Sequence, residues 1–180
     1  MEKELNIRSM VLTALMTALV YIATMIVRIP TPGGMIHMGD FTIFISVLIL
    51  GTKRAVFASG VGMFLVNVLG GLMHWAPFTL VIKGSMALIV GLIIDKKGIS
   101  RKTCFIGFTL ASIFMVIGYF LAGIIVANFF TGSAIGFTES AVFAARDILP
   151  NILQVTVAVA IATPMVSVIE NIKRRTNIIS

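Results

Sequence analysis

Long apolar runs broken by short polar stretches set the pattern of this chain. Six runs stand out, at residues 7–29, 41–50, 55–72, 78–94, 104–130 and 146–172. As a helix the first run rises about 34 Å, enough to cross a hydrocarbon core of about 30 Å with some tilt. The second is too short to span unless its helix begins inside the preceding loop. The pattern predicts an all-α integral membrane bundle of six transmembrane helices. Between the first two runs lies Pro-Thr-Pro-Gly-Gly-Met-Ile-His-Met-Gly-Asp at 30–40. Two prolines without amide donors and a Gly-Gly pair stop a helix and favour turns. Further breaks are expected at the basic turn 51–54, the connection 73–77, the polar stretch 95–103 and the long loop 131–145. Pro150 falls in the first turn of the last run, where a missing amide is tolerated, whereas Pro164 lies deep inside it and predicts a kink.

Composition agrees with the pattern. Of 180 residues, 58% are hydrophobic and 12% charged, and the mean hydropathy is +1.08. A soluble domain is about 45–50% apolar and about 25% charged, so this chain reads as one membrane domain over 1–180. The head Met-Glu-Lys-Glu-Leu-Asn precedes an apolar run with no early cleavage motif, which is read as a retained first helix. The single cysteine, Cys104, excludes an intramolecular disulfide and a multi-cysteine metal site.

Charge fixes an orientation. The net charge is +7, and 11 of the 14 basic residues lie at the termini or in alternate loops: Lys3, Arg8, Lys53, Arg54, Lys96, Lys97, Arg101, Lys102, Lys173, Arg174 and Arg175. Arg28, Lys83 and Arg146 are the remainder. The positive-inside rule then puts both termini in the cytoplasm and loops 30–40, 73–77 and 131–145 outside. The basic excess is thus a topology signal, with no nucleic-acid partner implied. The lipid bilayer of a bacterial-type cell membrane is the expected surrounding.

Polar residues that lipid should exclude gather toward the outer end of this arrangement. They are His37 and Asp40, then Asn67, His74, Trp75, Thr79 and Lys83, and further on Tyr119, Asn128, Glu139, Arg146, Asp147, Asn151 and Gln154. Thr79 and Lys83 share a helix face, as do Asp147 and Asn151, and Asn151 and Gln154. The inner halves of those runs are nearly featureless. A channel needs polar groups along its whole length, so a cavity open only to the outside fits better. Plainer readings stand beside this one. Lys83 can snorkel to the interface, Arg146 and Asp147 can mark a helix start, and His74 with Trp75 can form an aromatic belt. Asn67 can simply bond a neighbouring helix.

Enzyme signatures are missing. No H-E-x-x-H, Gly-rich phosphate loop or nucleophile elbow occurs, and the two histidines lack further ligands at metal spacing. Asp40 with Glu139 could do acid–base work, yet nothing in the sequence brings them together. No enzyme, cofactor or metal site is expected; binding of a small molecule is. An autonomous small-molecule carrier and a small membrane enzyme are the readings of other classes.

Several motifs resemble a known family. They are Ala14-Leu-Met-Thr-Ala18, Ile29-Pro-Thr-Pro-Gly-Gly, Ile36-His-Met-Gly-Asp40, Trp75-Ala-Pro-Phe-Thr79 with Ile82-Lys-Gly84, and Asn151-Ile-Leu-Gln154. Together they resemble the substrate-binding S components of energy-coupling-factor (ECF) vitamin transporters, in the branch with hydroxymethylpyrimidine, pyridoxine and riboflavin members. The resemblance implies six helices and a vitamin bound in the outer half under the first loop. Gly33, Gly34 and Gly39 would then give that loop the flexibility of a lid. It further implies that Ala14 and Ala18 dock on a transmembrane T component driven by two ATP-binding cassette ATPases. His37, Asp40, Asn67, Trp75, Thr79, Lys83, Tyr119, Asn128, Glu139, Asn151 and Gln154 are the expected ligand-binding residues. Trp75 or Tyr119 would stack on the ring, and Lys83, Asp40, Asn151 and Gln154 would read its polar edge. A hydroxymethylpyrimidine or pyridoxine type of ligand is favoured over riboflavin.

Overall fold

The computed structural model describes residues 7–31, 34–130 and 136–176. The described chain is helical apart from one hairpin. Helix α1 (Ile7–Ile26) leads into strands β1 (Arg28–Thr31) and β2 (Gly34–His37), followed by α2 (Gly39–Leu50) and α3 (Thr52–Leu69). A 3-10 turn at Met73–Trp75 precedes α4 (Ala76–Lys97) and α5 (Arg101–Phe130). A short helix α6 (Phe137–Ala145) then precedes α7 (Ile148–Thr176).

The hairpin and α6 depart from the expected pattern. The Pro-Gly segment does stop the helix, but its flanks pair as antiparallel strands in the register Arg28–His37, Ile29–Ile36, Pro30–Met35 and Thr31–Gly34. Both strands are edges, so the proline leaves no ladder donor missing. Helix α6 lies within the stretch expected to be a loop; its apolar run at 141–145 is too short to signal a helix. The basic turn shrinks to Gly51, whose φ of 75° suits glycine and whose N–H closes α2 on Val47 O at 3.1 Å. Helix α7 continues through Pro164.

Among the described residues, four stretches are long and apolar enough to cross a membrane: Ile7–Ile26, Met73–Lys97, Arg101–Phe129 and Phe137–Lys173. Helix α2 has 12 residues and rises about 18 Å, short of the hydrocarbon thickness. It is nonetheless the centre of the molecule, packed against α1, α3, α4 and α7. Ile43, Phe44, Val47, Leu48 and Leu50 are buried on it, and the Phe44 ring stacks on Phe108 of α5 at 4.4 Å. Small residues let its neighbours close in, as expected where packing alone drives association. Gly60 of α3 faces Gly84 of α4, and a Cβ at Gly60 would stand 3.2 Å from Leu80 O. A Cβ at Gly62 would stand 2.9 Å from Thr17 O of α1.

Candidate functional site

A cavity of about 130 Å³ opens among the hairpin, α3, α4, α5 and the start of α7. The hairpin contributes Arg28, Met35 and His37, and α3 contributes Met63, Val66 and Asn67. Leu72 and Trp75 come from the turn before α4, and Thr79 from α4 itself. Met115 and Tyr119 line it from α5, and Asp147, Asn151 and Gln154 from the α6–α7 junction and α7. The mixture of flat rings, thioethers and a few polar groups is the usual makeup of a small-molecule pocket.

Local sequence explains why these groups converge. Asp147, Asn151 and Gln154 recur at helical spacing and so share a face at the head of α7. Pro77 lies in the first turn of α4, where it starts the helix without losing a bond, and Thr79 follows inside it. The Trp75 and Tyr119 ring centroids are 6.1 Å apart and tilted by 49°, while Tyr119 Oη donates to Thr79 Oγ1 at 3.2 Å. These contacts hold two aromatic faces along one wall.

Behind that wall runs a polar relay. Lys83 Nζ donates to Asp40 Oδ1 in an ion pair with both side chains fully buried. Gln154 Nε2 donates to Asp40 Oδ2 at 2.6 Å, and His37 N–H donates to Gln154 Oε1 at 3.0 Å. Carboxylate on one side and N–H on the other leave only one orientation for the Gln154 amide. Gly39 N–H donates to His37 Nδ1 at 3.2 Å, so the imidazole proton sits on Nε2. Burial, helped by the Lys83 and Arg28 charges and opposed by Asp40, lowers the His37 pKa to about 4. The imidazole is therefore neutral at pH 7. The relay ties α2, α4, α7 and the hairpin to one another through side chains far apart in sequence.

Of the residues expected to bind a ligand, His37, Asn67, Trp75, Thr79, Tyr119, Asn151 and Gln154 line the cavity. Asp40 and Lys83 stand behind it and touch it through Gln154 and through Tyr119, whose ring centroid is 5.2 Å from Lys83 Nζ. Asn128 and Glu139 are elsewhere. Asn128 Nδ2 donates to Ile124 O and Ser140 Oγ, joining α5 to α6, and Glu139 is exposed on α6. His74 packs beside Trp75 at 6.2 Å, and the Arg146 guanidinium lies over Phe143 at 5.7 Å; neither lines the cavity. Gly33 lies outside the described residues, and Gly34 begins β2. Gly39 is buried, and a Cβ there would stand 2.9 Å from His37 Nδ1 and 3.1 Å from Met63 Sδ. Its missing side chain serves close packing. Ala14 and Ala18 are exposed on α1 beside exposed Val11, Leu15, Leu19 and Ile22.

The residues expected to bind a ligand include neither Arg28 nor Asp147, nor the lining methionines Met35, Met63 and Met115. Arg28 did carry a signal, as one of three basic residues on the non-cytoplasmic side of the count. The methionines carried none, because an apolar side chain inside an apolar run looks the same facing a cavity or a core.

The family model described as "ECF-type riboflavin transporter, S component" matches residues 4–171. A thiamine precursor transporter, HmpT, of Lactococcus lactis subsp. cremoris is 28% identical over 168 residues, 92% of this chain and 89% of that protein. An uncharacterized protein of Pyrococcus woesei is 40% identical over 102 residues, 56% of this chain and 68% of that one. With long apolar helices around a small cavity and this family match, the molecule is a multi-pass cell-membrane transport subunit. The chain belongs to the family of ECF-type riboflavin transporter S components, the substrate-binding subunits of ECF transporters.

Proposed function

We propose that this S component captures a small B-vitamin or vitamin precursor of the hydroxymethylpyrimidine or pyridoxine type, for uptake across the cell membrane. The size of the cavity carries the reading. Ligand pockets commonly measure about 300–1,000 Å³, and one of about 130 Å³ suits a single substituted ring better than a tricyclic flavin with its ribityl chain. The similarity to a thiamine precursor transporter points the same way.

Trp75 and Tyr119 would sandwich or flank the ring, with Asn67, Thr79, Asn151, Gln154 and His37 reading its polar edge. Asn and Gln can both donate and accept, which suits a heteroaromatic edge. Asp40 and Lys83 act one step behind, fixing Gln154. Asn128 and Glu139, away from the wall, are left out of the proposed site. The hairpin is the lid. In the membrane the chain is one domain whose six spans are α1 to α5 and α7, with both termini cytoplasmic and the hairpin outside. Transport requires a T component, docked on α1 at Ala14 and Ala18, and two ATP-binding cassette ATPases.

Riboflavin is the second reading, favoured by the description of the family model. Calorimetric titration of the purified full-length protein separates the two. Tight binding of 4-amino-5-hydroxymethyl-2-methylpyrimidine or pyridoxine, with weaker binding of riboflavin, is expected; the reverse order supports the flavin. Uptake by the reconstituted protein without nucleotide or partners would instead make it an autonomous carrier.

A further inference from the structure

Two atoms of the cavity-lining residues are buried and have no hydrogen-bond partner, Arg28 Nε and Asp147 Oδ1. Both side chains belong to the cavity wall, and their backbones are held firmly. Arg28 is paired with His37 across the hairpin. Asp147 N–H donates to Ala144 O at 3.3 Å, and Asp147 O accepts from Asn151 N–H at 3.0 Å. A folded protein rarely leaves a buried donor or acceptor unmet, because desolvation is then uncompensated. Here one of each polarity is left over, on two residues of the same cavity wall.

Charge narrows what fits. The wall brings one positive group, Arg28, and one negative group, Asp147. The Lys83–Asp40 pair behind it is internally balanced, and His37 is neutral. An anionic ligand would face the Asp147 carboxylate, and a cationic one would face Arg28. A ligand without net charge, offering an acceptor to Arg28 and a donor to Asp147, satisfies both. We propose that Arg28 and Asp147 are the specificity-determining pair of this cavity, selecting a neutral nitrogen heterocycle with adjacent donor and acceptor groups over its phosphate ester. The assignment rests on the cavity being the ligand site proposed above.

The test compares full-length wild type with Arg28→Met and Asp147→Asn, titrated with 4-amino-5-hydroxymethyl-2-methylpyrimidine, its monophosphate, pyridoxine and riboflavin. Each variant loses about tenfold to a hundredfold in affinity for the neutral ring, the usual range for a hydrogen bond to a charged group. The ligand-free melting temperature stays level or rises, since neither atom bonds to the rest of the protein. A merely structural role would lower it. Asp147→Asn also narrows the preference for the ring over its phosphate ester by at least about tenfold. Wild-type affinity in either variant, or a lowered ligand-free melting temperature with affinity intact, overturns the pair. If the wild type takes riboflavin and rejects the single rings, the substrate reading falls, whereas loss of riboflavin affinity in both variants upholds the pair.

Discussion

Lys83 and Asp40 are fully buried and depend on each other. Removing one partner of such a pair leaves a stranded charge, at a cost of about 3–5 kcal/mol, while replacing both is often near neutral. Lys83→Met should therefore lower the unfolding free energy by about that amount, and Lys83→Met with Asp40→Leu should recover most of it. Chemical denaturation in detergent reads the difference, and a double variant no better than the single one would contradict the pairing. His37 gives a pH dependence. Its pKa falls from 6.5 unfolded to about 4 folded, so the unfolded chain binds more protons in between. Its contribution is complete above about pH 6.5 and is lost as pH falls toward 4. The melting temperature should drop over that window, and His37→Gln should flatten the drop. At this scale the sequence was readable where residues share a helix face. Asn151 and Gln154 could be placed together by spacing. Lys83 could be recognised as a charge that must avoid lipid, but its partner lies 43 positions away and only the packing of α2 on α4 brings them together. Asn128 and Glu139 lie toward the outer end in sequence, which says nothing of which way a side chain points.

Among the elements, the long apolar helices were legible because their length and composition leave no other solvent for them. The hairpin was not. Pro-Thr-Pro-Gly-Gly signals an end to helix, while strand pairing over four residues each side carries almost no periodicity. The same holds for α6, too short to reveal itself in the pattern. Close helix contacts were visible only as small residues, without their partners. Gly62 is such a case, set against Thr17 and Val20 of α1. Gly62→Ala should push α3 from α1 and destabilise the protein by about 1–3 kcal/mol, the range for overpacking. A Gly62→Ala variant as stable as wild type would show that α1 is free to move aside.

At the scale of the whole molecule, the weakly embedded α1 stands out. Only 22% of its window is buried, against 44% for the stretch containing α4, and Ala14 and Ala18 lie on its exposed side. Small residues on an otherwise bulky apolar face invite another helix to approach. Ala14→Trp or Ala18→Trp should prevent co-purification of the T component and ATPases while leaving vitamin affinity unchanged. Assembly that survives both substitutions would move the docking face elsewhere. The central claim, capture of a neutral single-ring vitamin or precursor, is tested most directly by mass spectrometry of the ligand carried through purification of the wild-type protein from cells. The account predicts the mass of a hydroxymethylpyrimidine or pyridoxine-like ring without phosphate. A flavin or a phosphate ester in stoichiometric amount would contradict it.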